Sequence, residues 1–213
     1  MKSILLTLAL CLCSLCMKAQ LTGATKSTFD ACWAMRQAIG SGSTNALRSA
    51  ATAFKACSTT EFSTLRPVTP DKNASLNNHF VWDEDFAEAL LTNRKVRKFA
   101  QQYAEQRSTR GTAGIGNRTH VTTRMVKGKQ KATFSFPARG HMELAVISEP
   151  GAKVTVRIQD VTNGTWHNDT EDVVRGREYR IHVFDLPANK KCSLKIEIAN
   201  CSKKDASFAV ICN

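Results

Sequence analysis

The chain has 213 residues, 42% of them hydrophobic, with 30 basic against 18 acidic side chains and a formal charge of +12. That length holds one large domain or two small ones. Its longest apolar run, the thirteen residues Ile4 to Cys16, falls short of the ~20 a membrane span needs and is soon followed by Lys18, so a membrane anchor is the weaker reading.

Lys2, that apolar run and the polar "MKAQ" after it have the layout of a secretory signal, with cleavage expected after Ala19. Cys11, Cys13 and Cys16 each follow a leucine, so none has the small preceding residue of a lipoprotein site. The expected product is secreted or periplasmic, with no lipid anchor and no transmembrane segment. It retains Cys32, Cys57, Cys192, Cys201 and Cys212. An oxidising compartment favours disulfides, yet an odd number leaves one thiol over. Spacing does not rank the pairings. With neither a C-x-x-C nor an H-x₃₋₅-H pair, no metal cofactor is expected.

Two helices open the mature chain. "TFDACWAMRQAIGSGS" places Phe29, Cys32, Trp33, Arg36 and Ile39 at helical intervals and stops at Gly40 and Gly42. "TNALRSAATAFKAC" puts Leu47, Ala50, Ala51, Phe54 and Cys57 on one face, so the pair reads as an antiparallel hairpin. Residues 58–80, with Pro67 and Pro70, read as an ordered loop. From Trp82 to Arg107 the composition is helical, but Phe86, Ala87, Leu90 and Leu91 lie nearly opposite Val96, Phe99, Ala100 and Tyr103. A straight helix cannot bury both stripes in one core, so a break is expected at Thr92–Asn93, with Asn93 capping a fourth helix.

"STRGTAGIGNR" is small, glycine-rich and without apolar periodicity, and reads as a linker. Beyond it the period falls to two. "THVTTRMV", "ATFSF", "MELAVI", "KVTVRIQDV", "EDVV", "EYRIHVF", "SLKIEI" and "SFAVIC" are short runs separated by turn signals. The expected fold is α+β and segregated. A signal peptide (1–19) precedes a helical domain (20–107), a linker (108–117) and an antiparallel β-sandwich of jelly-roll type (118–213).

The strand pattern also resembles the pre-peptidase C-terminal (PPC-like) modules of secreted bacterial proteins. Its carriers are Phe134 and Phe136, then Leu144 and Val146, then Gly176, Tyr179, Ile181 and Val183, within roughly 120–213. The resemblance implies a jelly roll accompanying secreted enzymes or surface proteins. The helical half resembles no family.

Chemical motifs are sparse. His79, His120, His141, His167 and His182 are scattered, and His182 is expected to point outward from its strand. Asp160, Asn163, Asn168, Asp169 and Asp172 offer oxygens but lack a calcium-loop ladder. Trp166 is expected to tuck into the sandwich edge. No nucleophile or zinc-protease signature occurs, so no catalytic residues are assigned.

Charge is the clearest functional signal. Arg94, Lys95, Arg97, Lys98, Arg107, Arg110, Arg118, Arg124, Lys127, Lys129 and Lys131 face a single acid, Glu105. Eleven cations less one acid make segment 94–131 +10. Removing Lys2 and Lys18 with the leader leaves the mature chain at the same +10. Such a block attracts polyanions. Aromatic platforms for nucleic acid are missing, and the apolar stripe is too narrow for an interfacial membrane helix. The expected partners are an acidic glycan, envelope lipopolysaccharide phosphates or an acidic protein, bound without catalysis. The rival expectation is a hydrolase or enzyme-accessory subunit, with a site in the helical half or between the domains that brings Asp83 or Asp85 to His79.

Overall fold

A computed structural model describes residues 20–57, 59–68, 81–94, 119–167 and 176–213. Its helices are α1 (Gly23–Ser41), α2 (Thr44–Ala56) and α3 (Glu84–Thr92). Two short strands, β1 (Thr60–Glu61) and β2 (Arg66–Pro67), come before the last helix. Eight follow it: β3 (His120–Val126), β4 (Lys131–Ala138), β5 (His141–Ser148), β6 (Val154–Asp160), β7 (Thr165–Trp166), β8 (Tyr179–Asp185), β9 (Cys192–Asn200) and β10 (Ala206–Cys212).

The strands form two five-stranded sheets, ordered β1-β3-β10-β5-β8 and β2-β4-β9-β6-β7. Pairing is antiparallel except between β1 and β3. From β3 to β6 the chain changes sheet at every strand. One hydrophobic cluster joins Leu144, Val146, Phe208 and Val210 of the first sheet to Phe134, Val156, Ile158, Ile196 and Ile198 of the second. The alternation in "SLKIEI" and "KVTVRIQD" suits this arrangement, because one face of the second sheet is apolar and the other polar.

The first sheet is apolar on both faces. Ala145, Ile147, Ala209, Ile211 and Val121 point away from the second sheet and join Met35, Leu47, Phe54, Trp82 and Leu90 of the helical segment in a second cluster. Every residue of β10 is buried as a result. Residues 20–107 and 118–213 therefore do not keep to separate cores where they are described. The linker at 108–117 lies outside the described residues.

The segment between α2 and α3 adds to both sheets. Thr60–Glu61 pairs beside His120–Val121, and Arg66–Pro67 pairs with Ser135 and Phe134 of the other sheet. Phe62 and Leu65, between these strands, are buried in the inter-sheet cluster. The loop expected at 58–80 thus contains two strands where it is described.

Contacts distant in sequence dock the helices. α1 starts at Gly23, ahead of the apolar periodicity, because Glu143 of β5 accepts from the Thr22 amide with both carboxylate oxygens at 3.0 Å. The Thr22 hydroxyl donates to the same carboxylate. An acid at a helix N-terminus satisfies orphan amides and complements the dipole. Burial would raise the Glu143 pKa, but the Thr22 and Thr25 bonds and nearby His141 lower it overall. Farther along α1, buried Arg36 donates to the Ser148 carbonyl at 2.8 Å and pairs with Glu178 at 3.0 Å. Trp82 donates its indole N–H to the Cys32 carbonyl, while its amide donates to the Thr123 hydroxyl. Asp83 caps α3 by accepting from the Phe86 amide at 2.7 Å. The helix ends at Thr92, where the opposed stripes required a break; the expected fourth helix lies beyond the described residues.

Candidate functional site

Lys95, Arg97, Lys98, Arg107, Arg110 and Arg118 lie outside the described residues. Arg94 is exposed just past the end of α3. The other four cations of the block lie on β3, β4 and the turn between them, each in a different setting.

Arg124 is tied down. It donates to the Thr122 hydroxyl at 2.6 Å and to the carbonyls of Thr123 and Leu65, both at 3.1 Å. Burial lowers its pKa, partly opposed by Glu61. It fastens the β1–β2 segment to β3 and is poorly placed to meet a partner. Lys131 pairs with Glu197 at 2.9 Å while remaining 63% exposed, so its charge still reaches solvent. Lys127 and Lys129 flank Gly128 in the β3–β4 turn, and Lys129 is left-handed at φ 59°. Its ammonium donates to the Cys201 carbonyl at 2.6 Å, and its amide to the Ser202 carbonyl.

Those bonds bring a second set of lysines to the turn. Gly128 lies against the β9–β10 loop so closely that a Cβ would overlap the Lys203 carbonyl. Its amide donates to Asp205 at 2.9 Å. Lys153 joins the same loop, its amide donating to the Ser202 hydroxyl and its carbonyl accepting from Cys201. Lys129, Lys131, Lys153, Lys203 and Lys204 are all exposed around this end of the sheets, with Lys127 half-buried among them. Asp205 and Glu197 are the acids bonded within the group. Lys153, Lys203 and Lys204 lie outside the charge run and so do not stand out in the sequence. The available signal was "CSKKD" between two strand runs, a turn of like charge to "KGKQK".

The remaining candidates are structural where they are described. His182, expected to face outward, is buried on the inter-sheet side, opposite Leu144 in the β5–β8 register. His167 stacks on Phe184 at 4.3 Å. Exposed His141 bonds to Asp185 at 2.8 Å, which raises its pKa. Trp166 is not tucked in: it is 48% exposed, with the Arg157 guanidinium 4.5 Å from its ring centroid. Asp160 accepts from the Thr162 and Asn163 amides and the Asn163 carboxamide, so its oxygens hold a turn. Asn168, Asp169, Asp172 and the "EDVV" run lie outside the described residues, and Thr165–Trp166 pairs beside β6.

All five described cysteines are free thiols, with Cys32, Cys192 and Cys212 buried. Burial pushes Cys212 up to about 12. Among the described residues no three His, Cys, Asp or Glu side chains converge as metal ligands. No described helix is long and apolar enough to cross a membrane. Asp83 is occupied as a helix cap, and His79 lies outside the described residues.

No family model and no curated protein matches the chain. Among solved structures, it is similar to the Salmonella Typhimurium periplasmic inhibitor of g-type lysozyme, PliG, at 12% identity and a TM-score of 0.30. That match covers 48% of this chain and 93% of the other. A GH115 4-O-methyl-α-glucuronidase matches at 12% identity and a TM-score of 0.26, over 78% of this chain and 24% of its own. The capsular polysaccharide assembling protein CapF of Staphylococcus aureus matches at 12% and 0.17, over 61% and 39%. Likenesses this low carry no argument about activity.

Proposed function

We propose that the protein is an exported, non-enzymatic binding protein that engages an anionic partner: an acidic glycan, lipopolysaccharide phosphates or an acidic protein. We also propose that its two sheets are a jelly-roll sandwich. Supporting that fold are the strand orders β3-β10-β5-β8 and β4-β9-β6-β7 and the core shared between the sheets. The PPC-like resemblance is kept as a proposal on the same strands. Export rests on the leader-like residues 1–19.

The observation that carries the binding reading is the Gly128–Lys203 backbone approach, which sets "KGKQK" against "SKK". Clustered exposed ammonium groups raise the local concentration of polyanions and speed their capture. The binding surface is then the lysine end of the sheets together with Arg94 and the other cations of 94–131. Arg124 serves chiefly as a fastener.

Heparin or lipopolysaccharide binding by the mature protein tests this. Replacing Lys127, Lys129, Lys203 and Lys204 by Gln should lower affinity at least tenfold, about 1.4 kcal/mol, with the melting temperature little changed. Gly128→Ala should weaken binding with every lysine still present. Wild-type binding should fall as salt rises, because exposed charges are screened beyond ~8 Å at physiological ionic strength. Unchanged affinity in the quadruple variant would remove the lysine end from the function. Neutralising Arg94, Lys95, Arg97 and Lys98 separately measures the helical share.

A further inference from the structure

The outer face of the second sheet carries features that the lysine end does not use. Residues directly opposite one another on antiparallel strands turn their side chains to the same face, and the register lines up one row across all five strands. Arg66 of β2 stands opposite Ser135 of β4, and Ser135 opposite Lys195 of β9. Lys195 in turn stands opposite Gln159 of β6, and Gln159 opposite Trp166 of β7. With strands about 4.8 Å apart, the row is about 19 Å long. It points away from the core, because the alternate residues Phe134, Phe136, Ile158, Leu194 and Ile196 fill the inter-sheet cluster. The described helices pack on the other sheet.

Trp166, at one end of the row, is 48% exposed and is held by the Arg157 guanidinium, 4.5 Å from its ring centroid. The Nε–H of Arg157 is buried with no acceptor among the described residues. Buried donors are ordinarily paired, so this one marks a place where a partner is missing. Arg66, Ser135, Lys195 and Gln159 also make no side-chain hydrogen bond or ion pair among the described residues. Glu197, the acid of this face, lies opposite Arg157 in the register but pairs with Lys131.

We infer that this face binds a uronic-acid oligosaccharide laid across the strands, with one sugar ring against Trp166 and its carboxylates along the row. A pyranose has a face of C–H bonds, which the electron-rich face of an indole attracts, and a rim of hydroxyls. Gln159 and Ser135 offer that rim donors and acceptors. The unpaired cations Arg66, Arg157 and Lys195 make the ligand acidic, and an arginine fork matches a carboxylate. A protein partner would need an apolar core around the tryptophan, but its neighbours on this face are polar. Single-stranded nucleic acid stacks successive bases on several aromatics, and the row has one. No side chain of the row belongs to the lysine end, so this inference shares only the sign of its charge with the polyanion reading.

Tetragalacturonate, its neutral methyl ester, tripolyphosphate and oligothymidylate are suitable probes. Each is titrated into the ¹⁵N-labelled mature protein, as wild type and with the four Lys→Gln replacements at the lysine end. Tetragalacturonate should shift the Trp166 indole N–H saturably in both proteins. The methyl ester should act on the same resonance at least tenfold more weakly, and the two sugar-acid-free anions should leave it in place. In the lysine-end variant, Trp166→Ala should weaken tetragalacturonate at least tenfold by calorimetry. Arg66→Gln/Lys195→Gln should reduce it to the methyl-ester level, with the melting temperature as in the parent protein. Trp166 and Arg66 are exposed and Lys195 is half-buried on the polar face, so the fold should survive these changes. An indole resonance that does not respond, that tripolyphosphate or oligothymidylate moves equally, or an affinity unchanged by either row variant would overturn the inference. A tetragalacturonate response lost with the four lysines alone would overturn it too, while leaving the polyanion reading in place.

Discussion

The two sheets share one core but differ on their outer faces, and β9 and β10 show how. β9, central in the second sheet, turns Lys195, Glu197 and Ala199 outward and Leu194, Ile196 and Ile198 inward. β10, central in the first, carries Phe208 and Val210 on one side and Ala209 and Ile211 on the other, all fully buried. A strand buried on both faces reads as a continuous apolar run, whereas one buried on a single face alternates. "SFAVIC" and "MELAVI" therefore already indicate that something covers the first sheet.

The comparison is tested most severely at Ile211 and Ile147, beneath the helices. Either residue changed to Ala should cost about 2–5 kcal/mol in denaturant unfolding, the range for buried large-to-small replacements. Lys195→Ala, on the outer face of the second sheet, should stay within about 0.5 kcal/mol. Losses at Ile211 and Ile147 as small as that at Lys195 would mean that the helices do not cover the first sheet in solution.

Glu143 gives a smaller and pH-dependent effect. Glu143→Gln should cost about 1–3 kcal/mol at neutral pH by depriving the Thr22 amide of its charged acceptor. Because its folded pKa is depressed, its contribution is complete above the ordinary carboxylate value and is lost as pH falls through the folded one. The stability gap between wild type and variant should therefore shrink below about pH 4. A gap that persists in acid would assign the loss to packing rather than charge. The smallest effect belongs to the pair of exposed Lys131 and half-buried Glu197 on the second sheet, where a double-mutant cycle should return about 0–1 kcal/mol.

Local signals made the helical hairpin, the break after Thr92 and the seven late strand runs that fall on described residues legible, because the apolar period and the capping residues lie within each element. The start of α1 was not legible: its acceptor, Glu143, comes 121 residues after Thr22. Nor were β1 and β2, whose two-residue lengths leave no period to detect and whose pairing depends on partners beyond α3. His182 was misread because alternation along "EYRIHVF" does not say which alternate faces the second sheet. At the charged surface, counting along the chain found Lys127, Lys129 and Lys131 but also collected Arg124, which is engaged within the fold. It passed over Lys203 and Lys204, which reach the surface through the close approach at Gly128.

The place of β10 has a consequence for how the protein is made. Among the described strands it is the last to leave the ribosome, yet it occupies the middle of its sheet, between β3 and β5. Neither hydrophobic cluster is complete without it, since Phe208 and Val210 belong to one and Ala209 and Ile211 to the other. Assembly must therefore wait for pairings of large sequence separation, which slow folding. In the interval β3 and β5 keep open edges, and the helices rest on half a floor. That is when the chain is most exposed to wrong strand pairing.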